Sequence, residues 1–373
     1  EYAPKLFDLT GLQVYCNTKF GYSADDTLKV VQKLYEQKLV TYPRVDTTFL
    51  PTDIYPKVNG ILKQLTNYSS LTAPLVDKKI RKSTKVFNDK KVTDHHAIIP
   101  TGMQGHLTDY DRKVYDIIVR RFIAVFYNDC EVSNTTVIGK ADDVNFKTTG
   151  KEILEKGWRI VFEAPNNEEK ENDILPNFEE GETGPHEPSF LTKETKPPNM
   201  YTEASLLRAM ETAGKQVDDD ELRDLMKENG IGRPSTRANI IETLFKRKYI
   251  VRDKKKLVPT TTGIQLIDTI KNKLLTSAEL TGTWEKHLKE IEQGKHNAGI
   301  FIHEMKKMVN ELVYEVKMEQ VSTKISHAAS VKKKKKTSKK STKLDELTCP
   351  KCKNGKVLKG PNYFEPDLKK FIE

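Results

Sequence analysis

The sequence predicts a mixed α/β chain, mainly helical, with two winged-helix-like modules and a β-rich segment between them. Apolar residues recur at helical spacing on both sides of the chain's middle, whereas residues 129–195 carry β-branched runs. One pattern also occurs twice without a gap. Val30-Val31-Gln32-Lys33-Leu34-Tyr35-Glu36-Gln37-Lys38-Leu39-Val40 overlays Ile240-Ile241-Glu242-Thr243-Leu244-Phe245-Lys246-Arg247-Lys248-Tyr249-Ile250. Each copy runs on into a short extended segment and a polar turn, then Leu50-Pro51-Thr52 or Val258-Pro259-Thr260 ahead of another helix. Helix, strand, turn, strand is a winged-helix layout, a fold that commonly docks on DNA. Two amphipathic helices followed by strands also look alike by chance, but the matched apolar positions and shared Pro-Thr favour a true repeat.

In chain order, Ser23 with Asp26 resembles a capping box ahead of a helix bearing Leu28, Val31, Leu34, Tyr35 and Leu39. A second helix opens at Thr108-x-x-Asp111 and places Val114, Ile117, Ile118, Phe122, Val125 and Phe126 on one broad face. Thr135-Thr136-Val137-Ile138 and Trp158-Arg159-Ile160-Val161-Phe162 read as β-rich, followed by an acidic loop around 164–188. Residues 199–326 return to helix, with Thr202 an N-cap and Gly214 a stop. From 327 onward Ala, Ser and Lys describe a disordered linker before a short Cys-containing end.

Composition excludes several classes. With 373 residues, 36% hydrophobic and 31% charged, the chain has room for two or three domains and a real core. Its longest apolar stretches are too short for a transmembrane helix, and its first residues lack a signal-peptide pattern. Four cysteines, with Cys16 and Cys130 isolated, do not make a disulfide scaffold, so a reducing, cytoplasmic compartment is expected. The net charge of +10 is concentrated. Residues 332–343 hold eight lysines and no acid, and without them the balance falls to +2. An anionic partner is therefore met by local clusters and this tail, not by global charge.

Three segments carry chemistry. In Leu39-Val40-Thr41-Tyr42-Pro43-Arg44-Val45-Asp46, Pro43 forces Tyr42 into an extended conformation at a strand end. A phenol needs a nearby cation before it is a good nucleophile, and a guanidinium can alternatively hold phosphate oxygens in a transition state. Asp94-His95-His96 pairs two imidazoles with an acid, an arrangement open to metal, acid–base or phosphate roles. A metal would require further ligands that the neighbourhood lacks. Gly230-Ile231-Gly232-Arg233-Pro234-Ser235-Thr236 sets a Gly-rich turn at a helix start, with Ser235 or Thr236 as cap. Its free N–H groups and Arg233 would form an anion site, although an ordinary capped helix has the same pattern.

Taken in order, five segments resemble the type IA DNA topoisomerases, and within them the bacterial topoisomerase III branch. They are Phe7-Asp8-Leu9-Thr10-Gly11-Leu12-Gln13, the Tyr42 segment, Asp94-His95-His96-Ala97-Ile98-Ile99-Pro100-Thr101, Tyr201-Thr202-Glu203-Ala204-Ser205-Leu206, and the Gly230–Thr236 segment. Glu221-Leu222-Arg223-Asp224-Leu225-Met226 favours the topoisomerase III branch. The resemblance spans roughly residues 4–325.

That resemblance implies that Tyr42 attacks a DNA phosphodiester, leaving a 5′-phosphotyrosyl link and religating without ATP after strand passage. It implies that Arg44 positions the scissile phosphate, that His95 contacts the same region, and that Arg233 and Arg247 grip DNA, preferentially single-stranded. The implied fold is part of a toroid: residues 11–128 a tyrosine-bearing domain, 1–10 with 129–195 a β-rich arch, and 196–326 a helical groove domain. Residues 327–348 would be the Lys-rich linker and 349–373 an incomplete zinc-ribbon-like end. A cytoplasmic, nucleoid-associated monomer with no membrane partner is expected; a partner helicase is not readable.

The departures are equally specific. The family's Mg²⁺ is held by a Toprim domain that does not precede Glu1, so the chain is expected to be an N-terminally truncated fragment, inactive in isolation. Asp218-Asp219-Asp220, a literal D-x-D, reads as a solvated turn. Cys349 and Cys352 are the zinc candidates of the C-terminal end, but no second Cys pair follows them. Without four ligands a structural zinc site is not expected. The alternative function is a non-catalytic single-stranded DNA-binding module.

Overall fold

The first helices form where the sequence supplies their caps. Helix α1 (Leu9–Phe20) starts at Asp8, whose carboxylate accepts from Gly11 N at 2.6 Å, and ends at Gly21 in the left-handed conformation. Helix α2 (Ala24–Glu36) starts at Ser23, whose hydroxyl accepts from Asp26 N and donates to the Asp26 carboxylate. In this computed structural model the described residues are 1–76, 78–92, 94–163, 175–185, 187, 189–213, 230–276, 278–318, 357–359 and 364–366. The chain divides into two compact units, residues 1–326 and 327–373.

The main core of the first unit lies among α1, α2, the short α3 (Val58–Gln64) and α4 (Ser69–Thr72), and α5 (Asp109–Ala124). Leu9, Leu12, Leu34, Leu39, Ile98, Ile99, Ile118, Phe122 and Ile123 are fully buried there. Lys33 of α2 donates to Asp111 of α5 at 2.6 Å, and Thr108 caps α5 through Asp111 N. Extended segments are stitched through this core as isolated bridges, Phe7 with Ile98, Val40 with Pro100, and Leu50 with Phe87.

The repeat is visible in the hydrogen bonds. After α2, Gln37 N donates to Lys33 O, Lys38 N to Tyr35 O and Leu39 N to Leu34 O; Lys38 has φ 61°. After α7 (Pro234–Lys246), Arg247 N donates to Thr243 O, Lys248 N to Phe245 O and Tyr249 N to Leu244 O; Lys248 has φ 59°. A threonine then closes each copy. Thr101 donates its hydroxyl to Lys38 O and its N–H to Leu39 O; Thr260 does the same to Lys248 O and Tyr249 O.

This corrects the expected second limb of the first copy. Ile99-Pro100-Thr101, not Leu50-Pro51-Thr52, is the counterpart of Val258-Pro259-Thr260: Val40 bridges Pro100 as Ile250 pairs with Pro259. Thr52 instead opens a 3₁₀ turn held by Asp89. The Pro-Thr dipeptide nearer in sequence was the wrong partner.

Residues 131–155 form a long two-stranded antiparallel ribbon, β1 (Glu131–Ala141) and β2 (Val144–Glu155), turned by Asp142 at positive φ. At its base, Glu1 binds the Cys130 backbone and its carboxylate pairs with Lys151 and Arg159. Trp158–Phe162 is not a strand, as its β-branched run suggested, but part of a 3₁₀ helix against α5. Tertiary packing overrides propensity there: Val161 is fully buried, and Arg120 of α5 donates to its carbonyl.

Beyond the ribbon, α6 (Glu203–Glu211) begins with a reciprocal Thr202–Ser205 capping box and packs on α1, as α7 packs on α2. The short hairpin β3 (Ile250–Asp253) and β4 (Lys256–Pro259) leads through the Thr260 cap into α8 (Thr261–Thr269), followed by α9 (Glu279–Glu292) and α10 (Ala298–Met318). Among the described residues no helix is long and apolar enough to cross a membrane. In the second unit, β5 (Val357–Lys359) pairs antiparallel with β6 (Phe364–Pro366). Gly214, Asp218–Asp220, Glu221–Met226, most of the acidic loop, the Lys-rich linker, Cys349 and Cys352 lie outside the described residues.

Candidate functional site

Tyr42 sits where two sequence-distant segments are laced together. Thr41 N donates to Ile99 O at 2.9 Å, Ile99 N donates to Thr41 Oγ1 at 3.0 Å, and Thr41 Oγ1 donates to Ala97 O at 3.2 Å. On the other side, Leu9 N donates to Val45 O and Ile98 N to Phe7 O. Pro43 and Val45 are buried between these clamps, so the backbone that carries Tyr42 and Arg44 is fixed from both sides.

This lacing delivers His95 to Tyr42. Their ring centroids are 4.4 Å apart with planes tilted by 41°, and Tyr35 of α2 meets the other side of Tyr42 edge-on at 5.4 Å. Tyr42 is half-buried, and its hydroxyl has no hydrogen-bond partner among the described residues. Arg44 and His95 are both exposed, each with an exposed acid close by in the chain, Asp46 and Asp94. His96 turns back instead, its Nδ1 2.8 Å from Ala97 O. The arrangement is a phenol whose hydroxyl is unbonded among the described residues, held between the Tyr35 ring and the His95 imidazole, with Arg44 exposed two residues on. Such a set suits attack on a phosphoryl group.

Tyr35 was not singled out for this role by sequence, where it read as one more apolar position of an amphipathic helix. A signal existed: Tyr35 aligns with Phe245, and each ring receives the side chain of the strand position that follows it, Tyr42 or Arg252.

Arg233 and Arg247 are not brought to the Tyr42 ring contacts. They are exposed at the two ends of α7, the N-cap and C-cap, separated by about 20 Å at helical rise. The expected Ser235 or Thr236 cap is corrected as well. Arg233 occupies the N-cap without a side-chain hydrogen bond, Pro234 at the first position has no N–H, and Thr236 N donates to Arg233 O. The turn's glycines have a packing reason: Gly230 and Gly232 have φ 61° and 70°. A Cβ on Gly230 would meet Met210 O at 2.2 Å. The buried Arg237 binds this turn to α1, donating to Ile231 O and, at 2.9 Å, to Thr10 Oγ1.

The DNA topoisomerase family profile matches residues 1–303 of this chain, and the chain belongs to that family, the type IA DNA topoisomerases. Its relatives are narrower in kind. It is 39% identical over 334 residues to DNA topoisomerase 3 of Bacillus thuringiensis (strain Al Hakam), and 37% identical over 331 residues to DNA topoisomerase 3 of Bacillus subtilis (strain 168). Each alignment covers 85% of this chain and 45% of the relative, so the chain spans about half the length of the curated relatives it matches. The solved structure of full-length topoisomerase I from Thermotoga maritima shares the fold, with a TM-score of 0.59 at 24% identity. That match covers 99% of this chain and 56% of the other.

Proposed function

We propose that this part of a type IA DNA topoisomerase carries the nucleophile, Tyr42, of an ATP-independent strand-passing enzyme. The observation that supports it most is the seating of the unbonded Tyr42 phenol on the exposed His95 ring, between two motifs of the family. Tyr42 Oη attacks the phosphorus of one DNA strand, and the bond from phosphorus to the 3′-oxygen breaks as the new ester forms. The phenol gives up its proton, the 3′-oxygen takes one up, and a 5′-phosphotyrosyl link remains. One ester replaces another, so the reverse attack by the 3′-hydroxyl religates without ATP. Arg44, exposed two residues on from Tyr42, would hold the non-bridging oxygens and stabilise charge that grows in the transition state. His95 orients the phenol and the phosphate beside it.

The family uses Mg²⁺. Among the described residues no group of three carboxylates gathers near Tyr42, where Asp46 and Asp94 are exposed singly. The residues present therefore do not fit the ion, and no step is drawn through it. Arg233 and Arg247, at the two ends of one helix, would hold separate phosphates of a single strand, and the winged-helix-like copies would form the walls of its groove. A second reading is a single-stranded DNA-binding module, supported by the exposed Arg233 and Arg247 at the two ends of α7.

The test is covalent trapping on labelled single-stranded DNA with the intact enzyme, followed by mapping of the modified peptide. Tyr42→Phe should abolish the adduct, and Arg44→Ala should slow its formation while DNA still binds. An adduct on another tyrosine would overturn the assignment.

A further inference from the structure

The helical hairpin α9–α10, far along the chain from Tyr42, contains a group the topoisomerase reading does not use. His287 lies on α9, His296 in the tight turn between the helices, and Glu304 on α10. One ligand atom from each lies within 4.8 Å of the others. The imidazoles of His287 and His296 are stacked, with centroids 4.9 Å apart and planes 20° from parallel. His296 Nε2 is shielded from solvent and has no hydrogen-bond partner among the described residues, a costly state for a nitrogen that ordinarily binds water, protein or metal.

The backbone holds this constellation in place. Gly294, with φ 70°, donates to Ile291 O, while Lys295 N and His296 N both donate to Glu290 O. Asn297 then caps α10, its side-chain oxygen accepting from Gly299 N at 2.7 Å and its backbone oxygen from Phe301 N. His287 meets the buried Phe301 edge-on, which fixes one imidazole from α10's side. The turn is thus held by its own hydrogen bonds, and the exposed Glu304 is the ligand with room to close on the two imidazoles.

We propose that His287, His296 and Glu304 form a binding site for a divalent transition ion of the zinc class. Two imidazoles and one carboxylate are a ligand set that Zn²⁺ accepts with a water in the fourth position, and a set that hard Mg²⁺ and Ca²⁺ do not prefer. Zinc–ligand bonds of about 2.0–2.2 Å require the three atoms to draw in by roughly 1–2 Å, within reach of a side-chain rotation about a fixed turn. The structural consequence follows from what the hairpin lacks. Leu288, Ile300, Val309, Val313 and Tyr314 are exposed, so apolar burial contributes little to joining these helices. An ion bonded to α9, the turn and α10 would supply the missing cross-link, because binding energy of a site absent from the unfolded chain is folding energy.

The experiment uses the whole chain with Cys349→Ser and Cys352→Ser, which removes the thiols that would otherwise compete for metal. Co²⁺ titration should give equimolar binding with the visible bands of a tetrahedral or five-coordinate site, displaced by Zn²⁺, and Zn²⁺ should raise Tm. His296→Ala and His287→Ala should each weaken Co²⁺ binding by about 100-fold or more. Glu304→Gln, an exposed change that leaves folding intact, should weaken it in the same direction, whereas His303→Ala should have no effect. No Co²⁺ bands in the chain with Cys349→Ser and Cys352→Ser would overturn the proposal, as would equal loss in His303→Ala or binding undiminished in Glu304→Gln. None of these outcomes depends on DNA cleavage, so the site stands or falls apart from Tyr42.

Discussion

The two copies of the repeat end their helices in the same way and then put the following strand to different uses. Lys38 and Lys248 adopt the same left-handed turn, and Thr101 and Thr260 close both with the same pair of hydrogen bonds. Past that point the copies diverge. At the strand position that faces the helix's aromatic residue, the first copy has Tyr42 against Tyr35, with its hydroxyl unbonded among the described residues. The second has Arg252, 3.7 Å from the Phe245 ring centre and paired with Glu203 at 2.7 Å and Glu242 at 2.6 Å. One side chain makes ring contacts and leaves its polar atom unbonded among the described residues; the other is consumed in holding α6, α7 and β3 together. Identical local geometry therefore does not carry a shared role, since the role depends on which groups the rest of the fold brings to that side chain.

Burial separates the copies as sharply. Leu34 is fully enclosed in the main core, whereas its counterpart Leu244 is only half-buried, next in the chain to Phe245, which packs on a much smaller cluster around Leu207 and Ile241. The largest contrast should come from these leucines. Leu34→Ala is expected to cost about 3–5 kcal/mol, from lost transfer energy plus a cavity, and Leu244→Ala about 1 kcal/mol. Equal losses in denaturant titrations would mean that the second copy has a core as demanding as the first.

The strand positions give the next contrast. Arg252→Ala leaves the buried Glu203 carboxylate with Ala24 N as its remaining partner, and should cost about 2 kcal/mol, reduced from a fully buried pair because Arg252 is partly exposed. Tyr42→Phe keeps its ring contacts and should stay within about 0.5 kcal/mol of the parent. If thermal melts show Tyr42→Phe to be the more damaging, Tyr42 is a packing residue and the contrast fails.

The caps of the paired helices α1 and α6 differ in charge. Thr202 caps α6 with a neutral hydroxyl, but Asp8 caps α1 with a carboxyl whose pKa burial pushes up to about 6, opposed by its bond from Gly11. The unfolded chain loses this proton near pH 4 and the folded one near 6, so the folded state is penalised progressively as pH rises between them. Stability associated with Asp8 is fully present below pH ~4 and lost as pH passes about 6. Asp8→Asn keeps a good cap and should raise Tm at pH 8 while leaving Tm near pH 4 almost unchanged. A Tm gain of the same size at both pH values would show that the carboxyl is not the source.

The smallest effect should be the one the copies share. A glycine relieves left-handed strain at Lys38 or Lys248 but adds freedom to the unfolded chain, for a net gain of about 0.5 kcal/mol in either. Matching Tm shifts for Lys38→Gly and Lys248→Gly would sharpen the repeat. Opposite shifts would break it.

Legibility of the sequence followed the range of the interaction. Asp26 N donates three residues back to Ser23, so the N-terminus of α2 could be read directly, as could the ungapped match between the two helices. The closing threonine was readable only in the second copy, where Thr260 reaches Lys248 across 12 positions. In the first copy Thr101 reaches Lys38 across 63, and the nearer Thr52 was an attractive but wrong candidate. Trp158–Phe162 misled for a related reason: its β-branched composition is overridden by the docking of Val161 into a core built from distant helices.

By itself, then, the sequence determined the capped starts of α2, α5 and α6, the repeated turn and the extended approach to Tyr42 imposed by Pro43, because each rests on atoms a few residues apart. Tertiary structure decided that His95 and Tyr35 flank Tyr42, that Arg233 and Arg247 stand at opposite ends of one helix, and that Ile99-Pro100-Thr101 completes the first copy. Such pairings depend on closing long loops, and the entropy of closure grows so slowly with length that sequence separation barely distinguishes one partner from another. Burial of Leu39, Ile98 and Ile99 in a shared core makes the choice.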